Sequence, residues 1–178
     1  MSQILALRHQ RTLDFLARRL PAPATILDLG PPNPFADQMR AQGYEVVNTP
    51  EGVDLDLHPE VAAIEADAVT AFEILEHLVA PFNVLRAMNA PRLLASIPMR
   101  LWFASAYRND NDPWDRHFHE FEDWQFDWLL EKAGWTIEHR EQWNSPINQI
   151  GLRPLLRRFT PRYYIVDAVR PKLSESSR

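Results

Sequence analysis

Hydrophobic and polar positions follow two alternating patterns along this chain, one helical and one extended. Apolar residues recur at helical spacing over 3–20, with arginine and glutamine between them, so an amphipathic helix is predicted that ends at Pro21. Further helical segments are predicted at 35–42, 58–66, 81–89 and 122–133. Short runs rich in Ile, Val and Leu predict strands at 24–30, 44–48, 53–57, 67–74, 92–97, 135–143 and 162–170.

Strands that alternate with helices are typical of βαβ units. Such units build a mostly parallel sheet with helices on both faces, so the expected fold class is α/β and Rossmann-like. No internal repeat, low-complexity tract or linker divides the sequence. Residues 1–178 are therefore predicted to form a single domain, a length that is sufficient to bury a core.

Composition removes several classes of protein. The sequence has no cysteine, which excludes disulfides, thiolate zinc sites and cysteine nucleophiles. Residues 1–138 contain 11 Lys and Arg against 21 Asp and Glu, an acidic balance that argues against nucleic-acid binding. The first 20 residues lack the apolar segment of a signal peptide, and no uncharged run approaches the length of a membrane span. A cytoplasmic protein is expected.

Three predicted strand ends contain residues suited to ligand binding. They are the segments DLG at 28–30, EILEHL at 73–78 and SIP at 96–98. In open α/β sheets, ligands bind beyond the carboxyl ends of the strands, where the strand order reverses. Functional residues are therefore expected at these three strand ends.

Over residues 24–135 the sequence resembles the class I S-adenosylmethionine-dependent methyltransferases of small molecules. The resemblance rests on ILDLG at the first strand, DAVTAFEILEHL at the fourth, RLLASIP at the fifth and HFHEFEDWQFDWLLEKAGW after it. The last segment is similar to the family's pattern of a histidine, a phenylalanine, a helix and then L-L-x-x-A-G-F. The four segments in this order are more specific than any one of them.

The resemblance implies binding of S-adenosylmethionine (SAM) and methyl transfer to a small-molecule acceptor. It places the cofactor near residues of the first, second and fourth strand ends, namely Asp28, Gly30, Asn33, Thr49, Asp54, Phe72 and Glu73. The candidate catalytic residues are His77, His117 and His119. Catalysis of this kind depends mainly on proximity and alignment, and a base is needed only when the acceptor must lose a proton.

Three features depart from the family's pattern. The glycine-rich turn reads GPPNP at 30–34, where prolines replace two glycines and supply no N–H group. The second strand ends at Asn48 and Thr49 instead of an acidic residue, and the nearest substitutes are Glu51, Asp54 and Asp56. Only 18 residues separate Asn48 from Asp67, so the first half of the fold is expected to be shortened.

Several strand-end residues have two interpretations. Asp28 is expected to orient the first turn through backbone amides. Glu73 either forms a wall of the cofactor site or is a solvated carboxylate. His77 either lines the substrate entrance or, together with Glu76, caps the next helix. Asp54 and Asp56 would share one face of a strand, near the adenine pocket or in water.

The segment DRHFHE at 115–120 is the densest polar cluster. His117 and His119 would lie on one face of an extended segment, which is a geometry for metal binding, but no third ligand follows at a diagnostic spacing. The sequence therefore predicts no metal site. The alternatives are a base or hydrogen-bonding group facing the substrate, or a structural role that holds the loop.

Two further segments have an ambiguous role. Aromatic residues crowd the region after the fifth strand, where they form either an acceptor pocket or a core beneath a long loop; they are Trp102, Phe103, Tyr107, Trp114 and Phe118. The basic stretch 151–162 either makes weak contact with an anionic membrane surface, binds a phosphorylated acceptor, or connects two elements with its arginines solvated.

Two classes of function remain. The first is a SAM-dependent methyltransferase acting on a small molecule. The second is a non-catalytic descendant of the same fold that serves as a binding or scaffold protein, as the proline-filled turn suggests. A nicotinamide-dependent oxidoreductase fits poorly, because GPPNP is far from the dinucleotide fingerprint.

Overall fold

A computed structural model describes residues 3–144 and 152–170, and within them the strands form one sheet. The strands are β1 (Thr25–Asp28), β2 (Glu45–Asn48), β3 (Ala68–Phe72), β4 (Arg92–Pro98), β5 (Thr136–Trp143) and β6 (Tyr163–Val169). Their order is β2-β1-β3-β4-β6-β5. The first four pair in parallel and β6 is antiparallel to both of its neighbours. The predicted α/β, Rossmann-like, mostly parallel sheet is confirmed.

Five helices lie within the described residues, and two of them begin at capping side chains. The five helices are α1 (Gln3–Arg19), α2 (Pro34–Ala41), α3 (Pro81–Ala87), α4 (Asp123–Lys132) and α5 (Leu152–Phe159), with 3₁₀ turns at Pro59–Ala63, Leu75–His77 and Pro113–Asp115. The Asn33 side chain accepts two backbone N–H groups at the start of α2, and Pro34 occupies its first position. Glu122 and Gln125 form a reciprocal capping box on α4.

The strand predicted at 53–57 is wrong. These residues form turns because their acidic side chains bond to backbone N–H groups instead of leaving the backbone to a strand partner. Asp54 accepts the N–H of Asp56 at 2.9 Å, and Asp56 accepts those of Val79 and Ala80 at 2.8 and 2.7 Å. The connection between β2 and β3 therefore contains only turns and a short 3₁₀ segment, and the predicted shortening of the first half is confirmed.

The central strands β1, β3, β4 and β6 are buried on both faces, which explains why they are mostly apolar, whereas the edge strand β5 is mostly exposed. Successive residues of a strand enter opposite cores: Ile26 of β1 packs with α1 and α2, and Leu27 packs with α3 and α4. On the first face, α1 contributes the buried side chains of Phe15 and Leu16. On the second, Trp135 is buried and its indole N–H bonds to the Leu85 carbonyl at 3.1 Å.

Two segments return to the carboxyl edge of the parallel strands. The N-terminal half of α1 reaches this edge, where Arg8 contacts Glu73. The long loop between β4 and α4 is held there by the backbone of Glu76, whose carbonyl accepts the N–H groups of Phe118 and His119 at 2.9 and 3.2 Å. Both segments thereby bring side chains to the strand ends that the sequence singled out.

The basic stretch 151–162 contains a helix, α5, in its described part, whereas Gly151 lies outside the described residues. Leu156 is half-buried, while Arg157, Arg158 and Phe159 are exposed. Among the residues that the structure describes, no helix has the length and apolar character to cross a bilayer.

Candidate functional site

A cleft opens at the carboxyl edge of the sheet between β1 and β3. Chain connections leave these adjacent strands toward opposite sides, which is the position where α/β sheets bind ligands. The cleft encloses about 210 Å³. Its walls come from α1, the turn after β1, the end of β3 and Ser96 of β4.

Asp28, the last residue of β1, is the hub of the turn that follows. Its buried carboxylate accepts hydrogen bonds from the Thr70 hydroxyl at 2.6 Å and from the amide groups of Asn48 and Asn33 at 3.1 and 3.4 Å. Burial raises the pKa of Asp28 to about 6, although these three donors act in the opposite direction. Asp28 therefore orients the turn through side-chain donors, not through the backbone amides that we had expected.

Gly30 makes the turn out of β1 and lines the cleft. Its φ is +107°, a conformation that favours glycine. A Cβ on this residue would lie 3.4 Å from Cδ1 of Ile74, which also lines the cleft. The Gly30 N–H donates to the Thr49 hydroxyl at 2.8 Å. Of the glycines in the resembled family's turn, this chain therefore keeps Gly30. The N–H group of Gly30 is bonded to the protein itself.

The end of β2 is held by hydrogen bonds from Arg40. Asn48 stands where the resembled family has an acidic residue, and its amide donates to Asp28 and to the Gly30 carbonyl. Its side-chain oxygen accepts from Arg40 at 2.7 Å. These contacts tie β2 to the first turn through the neutral amide of Asn48, so the one carboxyl group at the C-terminal ends of β1 and β2 is that of Asp28.

Glu73 follows β3 and forms the opposite wall of the cleft. Its φ of +57° is uncommon for a residue with a side chain, and such backbone strain is concentrated at functional sites. Ser96 donates to one carboxylate oxygen at 3.0 Å and Arg8 to the other at 3.1 Å. Burial raises the pKa of Glu73 above its ordinary value, against the opposing effect of Arg8.

The helix α1 forms a further wall of the cleft. Arg8, His9 and Thr12 line it, and the His9 ring meets Phe35 edge-on at 4.8 Å. The guanidinium of Arg8 also lies 5.7 Å from the centre of the Tyr163 ring. Sequence reasoning did not find these three residues, because nothing in a helical pattern indicates which strand end the helix crosses.

A second group of polar side chains lies just beyond Glu73. Glu76 is 1% exposed, and its Oε1 lies 3.7 Å from Nε2 of His77. The rings of His77 and His117 meet edge-on with centres 4.7 Å apart. Burial, followed by the neighbouring Glu73, raises the pKa of Glu76 well above its ordinary value, against the opposing effects of Arg8 and Arg162. Burial, followed by the effect of His77, lowers the pKa of His117.

The remaining residues of the 115–120 cluster have structural contacts. Asp115 accepts from the Tyr107 hydroxyl and from Asn109 at 2.5 and 2.8 Å. His119 stacks on Phe121 with ring centres 5.3 Å apart, and its Nε2 lies 3.2 Å from the Val79 carbonyl oxygen. His117 and His119 therefore face different neighbours, and the pair brought together is His77 with His117.

The candidate cofactor residues separate into two groups. Those that line the cleft are Asp28, Gly30, Asn33, Phe72 and Glu73. Thr49 is buried with its hydroxyl bonded to Gly30, and Asp54 holds a turn, so neither is among the lining residues. Glu51 is exposed on a turn, and Asp56 accepts the N–H groups of Val79 and Ala80 just before α3.

Two interpretations made from the sequence are wrong. Glu76 and His77 do not cap α3: its N-cap is Ala80, and the nearby N–H groups bond to Asp56. The aromatic residues after β4 do not form a core beneath the loop, because Trp102 and Trp114 are 71% and 63% exposed. The aromatic content of this irregular loop did not indicate which of its side chains would be buried.

Comparison with solved structures shows which fold this chain has. A Burkholderia thailandensis 1,6-didemethyltoxoflavin-N1-methyltransferase, solved with 1,6-didemethyltoxoflavin and S-adenosylhomocysteine, matches with a TM-score of 0.64 and 17% identity, over 91% of this chain and 77% of that one. A SAM-dependent methyltransferase from Mesorhizobium loti matches with a TM-score of 0.60 and 18% identity, over 88% and 96% of the two chains. No family model and no curated protein matches the sequence.

The fold of this chain is that of the class I SAM-dependent methyltransferases. The expected resemblance is therefore confirmed at the level of fold. The same comparison includes the [4+2]-cyclase SpnF, with a TM-score of 0.57, 16% identity and coverage of 92% and 81% of the two chains. A fold can host different activities, so the function has to be argued from the site.

Proposed function

We propose that this protein binds SAM in the cleft between Gly30 and Glu73 and transfers its methyl group to a small-molecule acceptor. The observation on which this rests is the cavity at the switch point of a methyltransferase fold, lined by the ends of β1 and β3. The cofactor supplies a methyl group made electrophilic by a sulfonium. The protein's own contribution is to bind and align the two reactants.

The residues of the cleft fit such a cofactor. Gly30 provides the close backbone approach, because a side chain there would point toward Ile74 on the cleft wall. Asp28 holds the turn in place through its three donors. Phe35 and Phe72, whose rings meet edge-on at 5.6 Å, provide apolar surface.

Arg8 controls how much room the cleft offers. Its volume of about 210 Å³ is below the roughly 300–1,000 Å³ of typical small-molecule sites. The Arg8 side chain is 30% exposed and spans the cleft to Glu73. When Arg8 turns away from Glu73, the cleft widens, the guanidinium can pair with a ligand carboxylate, and Glu73 can accept a hydrogen bond from the ligand.

The pair His77 and His117 is proposed to serve the acceptor. The lowered pKa of His117 keeps its imidazole neutral at pH 7, so it can accept a proton from an acceptor O–H or N–H group. Both imidazoles lie near the exposed loop at 107–119, where a small molecule has access. His119 is proposed to act from the same loop as a hydrogen-bonding group.

A non-catalytic binding role is the second candidate. It is favoured by the turn itself, where Pro31 lines the cleft, prolines replace two glycines and the Gly30 N–H is bonded to Thr49. It is also favoured by the Arg8–Glu73 pair that narrows the cleft.

Contact of 151–162 with an anionic membrane surface, and a cytoplasmic location, stay predictions of the sequence.

Titration with S-adenosylhomocysteine by calorimetry tests the proposal. We expect micromolar binding to the wild type and roughly tenfold weaker binding to Arg8→Ala, since a charge-assisted contact to the ligand carboxylate is lost. Arg11→Ala is the matched control: Arg11 lies on the same helix but faces the Trp143 ring, 6.0 Å away. We expect it to bind like the wild type.

The absence of heat up to millimolar ligand, with both the wild type and Arg8→Ala, would contradict cofactor binding. That result would leave the binding or scaffold role. Equal affinity of Arg8→Ala and the wild type would retain the cleft as the site and remove Arg8 from it.

A further inference from the structure

We propose that Glu76, His77 and His117 form a binding site for one divalent transition-metal ion, with zinc as the best match. Their potential ligand atoms, one from each residue, all lie within 4.8 Å of one another. Ligands of tetrahedral zinc at about 2.1 Å lie about 3.4 Å apart, so the three atoms need to approach by roughly 1 Å. Both imidazoles are partly exposed, and the proposal requires their side chains to rotate by that amount.

The hydrogen bond of His77 leaves the correct ring nitrogen free. Its Nδ1 lies 3.2 Å from the carbonyl oxygen of Arg116. Because a carbonyl can only accept, Nδ1 carries the proton and Nε2 presents its lone pair. Nε2 is also the atom that lies 3.7 Å from Oε1 of Glu76. A ligating histidine whose second nitrogen donates to a backbone carbonyl is the usual arrangement in metal sites.

Glu76 supplies an independent indication of a missing ligand. Its side chain is 1% exposed, and its Oε2 has no hydrogen-bond partner within the part of the chain that the structure describes. Leaving a buried carboxyl oxygen without a partner is costly, and such groups are rare in folded proteins. A cation at this position would provide the partner and would also offset the repulsion between Glu76 and Glu73.

A second cluster has similar geometry, but there the negative charge of the carboxylates is balanced by an arginine; we call it the compensated cluster. Glu138, His139 and Asp167 also bring their ligand atoms within 4.8 Å. There, however, Arg92 donates to both Asp167 oxygens at 2.8 Å and lies 3.6 Å from Glu138. A protein cation thus already occupies the place of a metal, whereas Glu76 has no such ion pair with Arg or Lys among the described residues.

The donor set determines the class of metal. Two imidazoles and one carboxylate suit zinc and the related first-row ions, whereas calcium and magnesium prefer oxygen ligands alone. Three protein ligands leave a fourth position on zinc for water or a small molecule. Metal binding requires no cofactor in the neighbouring cleft, so its test is separate from that of methyl transfer. A bound metal would occupy the lone pairs of His77 and His117 and would therefore replace their proposed role as proton acceptors.

Metal titration of the chelator-treated full chain, free of any affinity tag, tests the site. With Co²⁺ alone as the probe, we expect one equivalent to give the visible absorption of a low-symmetry nitrogen and oxygen site, and Zn²⁺ to displace it. His77→Gln and His117→Gln are expected to weaken Zn²⁺ binding more than about tenfold. His139→Gln, in the compensated cluster, is the matched control and is expected to bind like the wild type.

Two results would overturn the proposal. One is the absence of stoichiometric Co²⁺ or Zn²⁺ uptake by the wild type. The other is equal affinity of the wild type, His77→Gln and His117→Gln, which would place the metal elsewhere. If a variant does not fold, X-ray absorption of the wild-type zinc complex decides the matter: two imidazole ligands support the site, and none contradicts it.

Discussion

Two buried carboxyl groups lie beyond adjacent strands of this sheet, and they differ in how their oxygens are satisfied. Asp28, at the end of β1, accepts hydrogen bonds from Thr70, Asn48 and Asn33. Glu76, in the turn after β3, has one oxygen without a partner among the described residues. Burial raises the pKa of both groups. Burial alone therefore does not distinguish a structural carboxyl from a functional one.

The difference lies in the surrounding donors. The donors to Asp28 come from β3, from the cap of α2 and from the end of β2, so its carboxylate connects three elements of the scaffold. Glu76 connects to the loop through its backbone carbonyl, which leaves its side chain available. A saturated carboxyl is expected to matter most for stability, and an unsaturated one for binding.

The largest effect is expected from Asp28→Ala. It leaves the buried Thr70 hydroxyl and two amide groups without their acceptor, so we expect a loss of about 3 kcal/mol in the free energy of unfolding. Chemical denaturation measures it. Asp37→Ala is the control, because Asp37 is 76% exposed and forms a surface ion pair with Arg40; it should cost less than about 1 kcal/mol. Equal losses of unfolding free energy in Asp28→Ala and Asp37→Ala would show that the hydrogen bonds of Asp28 do not stabilise the turn after β1.

Glu76→Gln is expected to act in the opposite direction and to depend on pH. A carboxyl whose folded pKa is raised loses stability as pH rises above its unfolded pKa, near 4.5 for glutamate. The metal-free variant should therefore match the wild type at low pH and become progressively more stable than the wild type as the pH rises above that value.

Asp28 titrates in both proteins, so its contribution cancels in this difference. Denaturation at several pH values measures the effect, with the exposed Glu51→Gln as the control. A difference between Glu76→Gln and the wild type that does not change with pH would show that Glu76 has the same pKa in the folded and unfolded states, which contradicts the raised pKa.

The smallest effect is expected at Thr49. Thr49→Val keeps the side-chain volume but removes the acceptor of the Gly30 N–H, which should cost about 1 kcal/mol. Thr136→Val, at an exposed position of β5, is the control and should change stability by less than about 0.5 kcal/mol. Equal stability of Thr49→Val and the wild type would indicate that the Gly30 N–H finds another acceptor, such as a ligand in the cleft.

Much of the fold was predictable because burial on two faces produces apolar runs in the sequence. The prediction failed at 53–57, where alternating Val, Asp and Leu look like a strand. A period of two does not reveal that Asp54 and Asp56 bind backbone N–H groups instead, one of them donated by Val79, 23 residues away. The competition between side-chain acceptors and a strand partner is decided by neighbours that the local pattern does not contain.

The candidate site was predictable only in part. The strand ends with Gly30 and Glu73 could be identified, because ligand sites of α/β sheets occur at such positions. Arg8, which lies 65 residues from its partner Glu73, gave no signal. One interpretation made Glu76 a helix cap, because the sequence does not show that Asp56 binds the N–H groups before α3 and that Glu76 is buried.

The sequence by itself determined most of the helices and strands, their order and the chemistry available at each strand end, since these depend on local backbone preferences and hydrophobic period. The tertiary structure decided which of those groups meet. It placed α1 across the cleft, and it paired His77 with His117 while turning His119 toward Phe121. Partners distant along the chain are selected by packing of the whole sheet, and only packing determines whether a buried carboxyl finds its donors.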